Sequence, residues 1–328
     1  MKEINVEKYG TRIVFIGLFV FIINPVWLIS FDTVLGESSV DRKYVILTFD
    51  DGYKSQYSNA KPILDKYDFK ATFYVVCNYI ENGKNHMTWD QIESLHKDGQ
   101  DIGSHTMNHD DLSKMSDKEI EFEVGKSKEC LLDHGINPLS FAYPFISGNE
   151  DENVVNIVAR YYEYARAGND PIMFLHCNRI ADNQVSSKQI DCHTFSDDGT
   201  LNPVNRYSII GWNHDSEKEE HSYSDSQMLD RFIEVVESQT KYRGNDGTPN
   251  GIPIIIWHKI EDGNNHATSS ELFNAELKYL NDNGFTVLTM ADLNYNEKTN
   301  YLEINGDTLF GDGSSNIRTI HDNKVRTP

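Results

Sequence analysis

The sequence predicts an α/β fold, a parallel (β/α) barrel or near-barrel, on three observations. Short apolar runs alternate with helix-like segments from Tyr44 to Thr289, the pattern of parallel β-α units. A length of 328 residues suits a barrel with trimmings better than a small open sheet. Acidic and imidazole side chains fall just past the C-terminal ends of three apolar runs, where barrels build their sites.

The elements follow in order. Lys2, Lys8 and Arg12 precede the apolar run Ile13 to Ile23, which Asn24-Pro25 interrupts before Val26 to Ile29. Residues 1–38 are therefore expected to be a signal peptide or an N-terminal membrane anchor, with residues 13–31 as the tether. Val34-Leu35-Gly36 offers a cleavage site. Tyr44 to Phe49 is nearly all apolar, as a buried parallel strand is. A helix is expected over Ala60 to Tyr67 and a strand over Ala71 to Val76. Thr88 to Lys97 is a helix with Thr88 as N-cap and Gln91 three residues on, and Ser116 to Leu132 is a longer one opening on a Ser116/Glu119 capping box. Asp101 to His105 is a short strand between them. Further strands are expected at Ser140 to Pro144, Tyr162 to Ala167, Ser208 to Trp212, Ile252 to His258 and Phe285 to Thr289. Helices are expected around Asn153 to Tyr161, Ser226 to Gln239 and Ser270 to Asn281. Residues 39–293 form the main domain, and 294–328 a polar extension rich in Gly, Asn and Asp.

Apolar residues are 38% of the chain and charged ones 25%, which supports a packed core and argues against disorder. The formal net charge of −21 argues against a dedicated nucleic-acid binder or a polybasic membrane-surface protein. Export permits disulfides. Among the four cysteines, Cys177 and Cys192 bracket one polar stretch and are the expected pair. Cys77 and Cys130, in a strand and a helix, are expected as buried thiols. The neighbouring His176 and His193 suggest a rival His-Cys…Cys-His zinc site, a poor one because adjacent residues on a strand face opposite ways.

Three groups carry chemistry. Asp50-Asp51-Gly52 follows the first strand, His105-Thr106-Met107-Asn108-His109 the third, and His258 closes the run Ile254-Ile255-Ile256-Trp257. Imidazoles at i and i+4 share a helical face and grip one metal, with a carboxylate as third ligand and an open position for water. Asp197-Asp198-Gly199 repeats the acidic motif with no apolar strand before it and reads as a turn.

Thr48-Phe49-Asp50-Asp51-Gly52, His105 to His109 and Ile256-Trp257-His258 resemble, in order and spacing, the first, second and last motifs of the polysaccharide deacetylases, the NodB-homology, carbohydrate esterase family 4 enzymes. The resemblance covers about Lys43 to Leu293. It implies a distorted (β/α) barrel and a divalent metal, most often Zn2+, on Asp51, His105 and His109. It also implies Asp50 as the base toward a water on that metal and His258 as the acid toward the leaving amine. Phe141-Ala142-Tyr143-Pro144-Phe145 matches the third motif, so the Phe145 N–H is the expected oxyanion donor. The side chains of Tyr143 and Phe145 are expected in barrel packing.

Two departures stand out. The family's third-motif Arg is replaced by Ala142, and Arg166 in the next strand is expected to pair with Asp50, since an inward Arg needs a carboxylate. In the fourth motif Gly211 stands before Trp212, the candidate pocket aromatic, so the orienting partner of His258 is unassigned. Ile256 takes the place of the leucine that walls the acetyl pocket. The function implied is removal of N-acetyl groups from an extracellular or cell-surface polysaccharide. The alternatives are an O-acetyl esterase on xylan-like glycans, a small-amide hydrolase of the same fold, and a non-catalytic glycan-binding relic.

Overall fold

The computed structural model describes residues 42–82, 85–168, 170–175, 206–242, 250–263, 265–298 and 301–305. The expected tether at residues 13–31, the Cys177–Cys192 pair, His176, His193 and the turn at 197–199 lie outside the described residues.

The strands are β1 (Lys43–Phe49), β2 (Thr72–Val75), β3 (Asp101–Ser104), β4 (Ser140–Ala142), β5 (Tyr164–Arg166), β6 (Ile172–Phe174), β7 (Trp212–Asn213), β8 (Gly251–Trp257), β9 (Lys259–Ile260), β10 (Ala267–Thr268), β11 (Phe285–Leu288), β12 (Leu293–Asn296) and β13 (Tyr301–Ile304). The helices are α1 (Lys61–Lys66), α2 (Trp89–Lys97), α3 (Asp117–Asp133), α4 (Glu152–Val158), α5 (His214–Glu220), α6 (Asp225–Ser238) and α7 (Ser270–Asp282). The capping boxes expected at Thr88/Gln91 and Ser116/Glu119 are both present.

Parallel pairing runs β5-β4-β3-β2-β1-β8. β7 pairs with β8 in parallel, and a parallel bridge joins Ile209 to Arg166 of β5. The segment 209–213 thus closes the sheet into a ring, a distorted barrel. Distortion enters at β1, whose edge is shared between β2 at Thr48 and Phe49 and β11 at Lys43 to Ile46. β6 is antiparallel to β8.

Alternation along the strands divides the core. Tyr44, Ile46, Tyr74, Ala142, Tyr164, Ile209, Ile252 and Ile254 fill the interior. Val45, Leu47, Phe49, Phe73, Val75, Ile255 and Trp257 face outward under α1, α2, α6 and α7. A third cluster sets α3 and α4 against Phe141 and Ala165. The polar extension begins as the β12–β13 hairpin, whose Leu293, Leu302 and Ile304 join the interior cluster. Among the described residues no helix is long and apolar enough to cross a membrane.

One disulfide is present among the described residues, Cys77–Cys130 with Cα atoms 6.6 Å apart. This corrects the expectation of buried thiols: packing α3 across the ends of β2 and β3 brings the two residues within bridging distance.

Candidate active site

The mouth of the barrel gathers Asp50 and Asp51 after β1, His105 and His109 after β3, Phe145 after β4, Arg166 at the end of β5, and His258 after β8. Inward alternation from Tyr44 and Ile46 continues through Thr48 to Asp50, and from Tyr164 to Arg166. Turn geometry does the rest. Asp51 (φ 70), Thr106 (φ 73), His109 (φ 63) and Phe145 (φ 56) are non-glycine residues in the left-handed region, which costs ~1–3 kcal/mol each and clusters at functional sites. Gly52 (φ 71) follows Asp51; a Cβ there would lie 3.3 Å from Val75 Cγ1.

His105 and His109 are not on a helix, as their spacing suggested, but on an irregular turn. That turn is held from outside. The carboxylate of buried Glu123 on α3 accepts the N–H groups of Met107 (3.0 Å) and Asn108 (2.8 Å) and the Asn108 amide. Thr106 Oγ1 accepts the His109 N–H at 2.8 Å.

Asp51 Oδ1 lies 3.5 Å from His105 Nε2 and 3.2 Å from His109 Nε2. It is buried and has no hydrogen-bond partner. His105 Nδ1 sits 2.7 Å from the Ala142 carbonyl; donating there, it leaves Nε2 as a lone pair aimed at Asp51. Burial drives His105 down to about 4 despite Asp50 and Asp51. Burial also pushes the Asp51 carboxyl up, but His109 and His105 outweigh it and hold it well below the usual carboxylate range. Two imidazoles and a carboxylate spaced this way fit ligands sharing one ion at ~2 Å bond lengths, and the orphaned oxygen is what such an ion would satisfy.

Asp50 stands beside this group, its Oδ2 3.9 Å from His105 Nε2. Arg166 Nη2 donates to both Asp50 oxygens at 2.6 Å, and Nη1 to the Ala167 carbonyl at 3.0 Å. The guanidinium also lies 5.0 Å from the centre of the Tyr74 ring. Ala142 is in register with Arg166, so the cation missing from β4 enters at the same height from β5.

His258 has the partner that the sequence left unassigned. Asp215 Oδ1 accepts from Nδ1 at 2.9 Å and Oδ2 accepts the His258 backbone N–H at 2.6 Å. Burial alone would depress His258, yet Asp215, Asp50 and Asp51 raise it to about 9. Gly211 cannot serve in this place: a Cβ there would sit 3.0 Å from Ile256 Cδ1. The usable carboxylate comes three residues after Trp212, at the start of α5. Gln56 carries no sequence signal; its buried amide donates to the carbonyls of Asp50 (2.5 Å) and His258 (2.8 Å), tying the ends of β1 and β8 together. Asp215, His258 and His266 also cluster, but this second group is closed by its own hydrogen bonds, with Ser216 Oγ 3.0 Å from His266 Nδ1.

Two aromatic expectations need correction. Phe145 is 66% exposed rather than packed in the barrel; its positive φ turns the ring out of the mouth, edge-on to His109 at 4.6 Å. Trp212 is core rather than pocket wall, with its indole N–H donated to Glu217. Tyr143 is buried as expected, and Ile256 is fully buried.

Comparisons with known proteins add the family. Residues 37–164 match the model of the polysaccharide deacetylase family. The chain is 37% identical over 87 residues, 26% of its length, to YxkH of Bacillus subtilis (strain 168), whose name assigns it to that family. It is 31% identical over 160 residues, 44% of its length, to a chitin deacetylase of Arthroderma benhamiae. It is 29% identical over 105 residues, 32% of its length, to a peptidoglycan-N-acetylglucosamine deacetylase of Bacillus cereus. The chain spans 31%, 42% and 47% of these relatives' own lengths. A solved structure, the Xyl-CE4 domain of a multidomain xylanase from the Trinervitermes trinervoides hindgut metagenome, aligns with a TM-score of 0.48 at 18% identity over 76% of this chain and 88% of that one. The matched stretch, residues 37–164, carries Asp50, Asp51, His105 and His109, so the family that these comparisons point to is the polysaccharide deacetylases.

Proposed function

We propose that the chain is a metal-dependent hydrolase that removes N-acetyl groups from an extracellular or cell-surface polysaccharide. The observation that carries this reading is the buried, unpartnered Asp51 Oδ1 faced by the Nε2 atoms of His105 and His109. Zinc suits that donor set. Bound there, a divalent ion supplies Lewis-acid polarisation of the acetyl carbonyl and lowers the pKa of a water.

The remaining work falls to the chain. An amide is a poor electrophile with a poor leaving group, so a base, an oxyanion donor and an acid are all needed. Asp50, fixed by Arg166, accepts the proton of the attacking water. The Phe145 N–H, set by its left-handed backbone, donates to the developing oxyanion. His258, favoured as imidazolium up to about 9 by Asp215, gives its proton to the departing amine. A free amine and acetate result.

The Cys77–Cys130 disulfide supports placement outside the cytosol, with residues 13–31 as the tether. The test is acetate release by zinc-loaded protein from N-acetyl-chito-oligosaccharides, peptidoglycan and acetylxylan. Release from an amide substrate, lost in Asp50→Asn, is expected. Release from acetylxylan alone would replace the reading by an O-esterase, and no release from any would overturn it.

A further inference from the structure

The cluster of titratable groups left without a task by this chemistry lies directly behind the acid. His214 Nε2 and Glu276 Oε1 are 2.6 Å apart, and both side chains are fully buried. Thr268 Oγ1 is 3.3 Å from His214 Nδ1. The second Glu276 oxygen is buried with no partner. Desolvating a carboxyl and an imidazole together costs several kcal/mol, and apolar residues of the same volume are often as stable or more so. Packing alone therefore gives a weak account of this pair.

Its position gives a better one. Asn213 is in register with Ile256, so the chain beyond β7 runs beside the chain beyond β8. His214 leads to Asp215, and Trp257 leads to His258. On the outer side of the barrel the His214 ring packs on Trp257 at 5.4 Å, with Trp212 and Phe232 around it. On the mouth side the next residue of each segment forms the Asp215–His258 hydrogen bonds at 2.6 and 2.9 Å. Glu276 belongs to α7 and Thr268 to β10, so two separate elements hold the His214 ring. With that ring fixed, the backbone step to Asp215 is fixed, and with it both bonds that orient His258.

We propose that Glu276 and His214, seconded by Thr268, are positioning residues that brace the Asp215–His258 pair from outside the barrel. This rests on the deacetylase reading for its catalytic consequence, though the brace itself does not. Partners that orient metal-ligating histidines are worth 10–100-fold when removed, and the same order is taken for this brace.

The experiment compares zinc-loaded wild type, Glu276→Met and Glu276→Gln on an N-acetyl-chito-oligosaccharide and on an aryl acetate. The aryl ester has a leaving group that needs no proton. Glu276→Met is expected to lower kcat for the amide ~10–100-fold with KM changed less than about 2-fold. Its ester rate should fall less than about 3-fold, and Glu276→Gln, which still pairs with Nε2, should restore most of the amide rate. Equal losses on both substrates, or none, in a folded variant would overturn the proposal. If Glu276→Met does not fold, Thr268→Val takes its place, with the same split at smaller amplitude. A readout free of activity is the proton resonance of His258 Nδ1–H in histidine-labelled protein, identified by its loss in His258→Gln. It should shift or broaden in Glu276→Met and persist in Glu276→Gln. An unchanged resonance would refute the brace even if wild type releases no acetate, while wild-type inactivity with a shifted resonance would refute only the deacetylase reading.

Discussion

Removing one half of the Asp50–Arg166 pair should strand the other half in the barrel. Arg166 is 1% exposed and Asp50 5%. One nitrogen, Nη2, reaches both carboxylate oxygens, and Arg166 Nε has no partner, so the carboxylate is the main compensation for the buried cation. Breaking a buried pair by deleting one partner costs about 3–5 kcal/mol. In a domain of this size that lowers Tm by ~6–20 °C. Arg166→Met leaves an uncompensated carboxylate, and Asp50→Asn an uncompensated guanidinium. The double variant strands neither, so its loss should fall short of the sum of the single losses by ~2–3 kcal/mol. Urea unfolding followed by fluorescence of buried Trp212 and Trp257, at neutral pH in chelator to remove metal linkage, measures all three. A cost under ~1 kcal/mol for Arg166→Met, or strict additivity in the double variant, would refute the reasoning.

Three further outcomes are expected. The His258 pKa is raised, so the stability that Asp215 confers is fully present below the ordinary imidazole value and is lost as pH rises through about 9. Metal-free protein should lose up to ~3 kcal/mol across that window, and His258→Gln should flatten the profile; a wild-type profile already flat from pH 6 to 10 would contradict the pairing. Asp51→Asn should abolish tight zinc binding in calorimetry, and chelation should lower the wild-type Tm while leaving that of the variant unmoved. Phe145→Ala should change stability by less than about 0.5 kcal/mol because the ring is exposed, while raising KM for a polymeric substrate; a large stability loss would mean the ring packs where the structure shows it open.

Much of this was legible in the sequence because the signals were local. Each apolar strand, each of the two capping boxes and each of the Asp, His and His258 motifs spans only a few residues. The missing pieces are long-range. Asp215 opens α5, a polar stretch with no apolar period, and only barrel closure brings it to His258. Gln56 acts through carbonyls of two strands, which no side-chain motif records. The Cys77–Cys130 bridge depends on where α3 packs, not on spacing. His105 and His109 meet for a reason that their spacing does not carry: left-handed backbone at Thr106 and His109, not a helical turn, brings them together. Phe145 read as an ordinary aromatic of the packing until its backbone φ turned it outward.

The narrow closure between β5 and β8 has a consequence for how the protein would fail. Among the described residues that seam consists of the two-residue β7 against β8 and, on the other side, backbone bonds of Ala165 and Ala167 with Arg206 and Ile209. Both groups proposed to move protons lean on it, Asp50 through Arg166 and His258 through Asp215. Asp51, His105 and His109 are carried by β1 and β3, neither of which takes part in the seam. A local opening of the seam would therefore switch off proton transfer while the cation stayed seated, and heat-stressed protein should retain its metal after its turnover is gone.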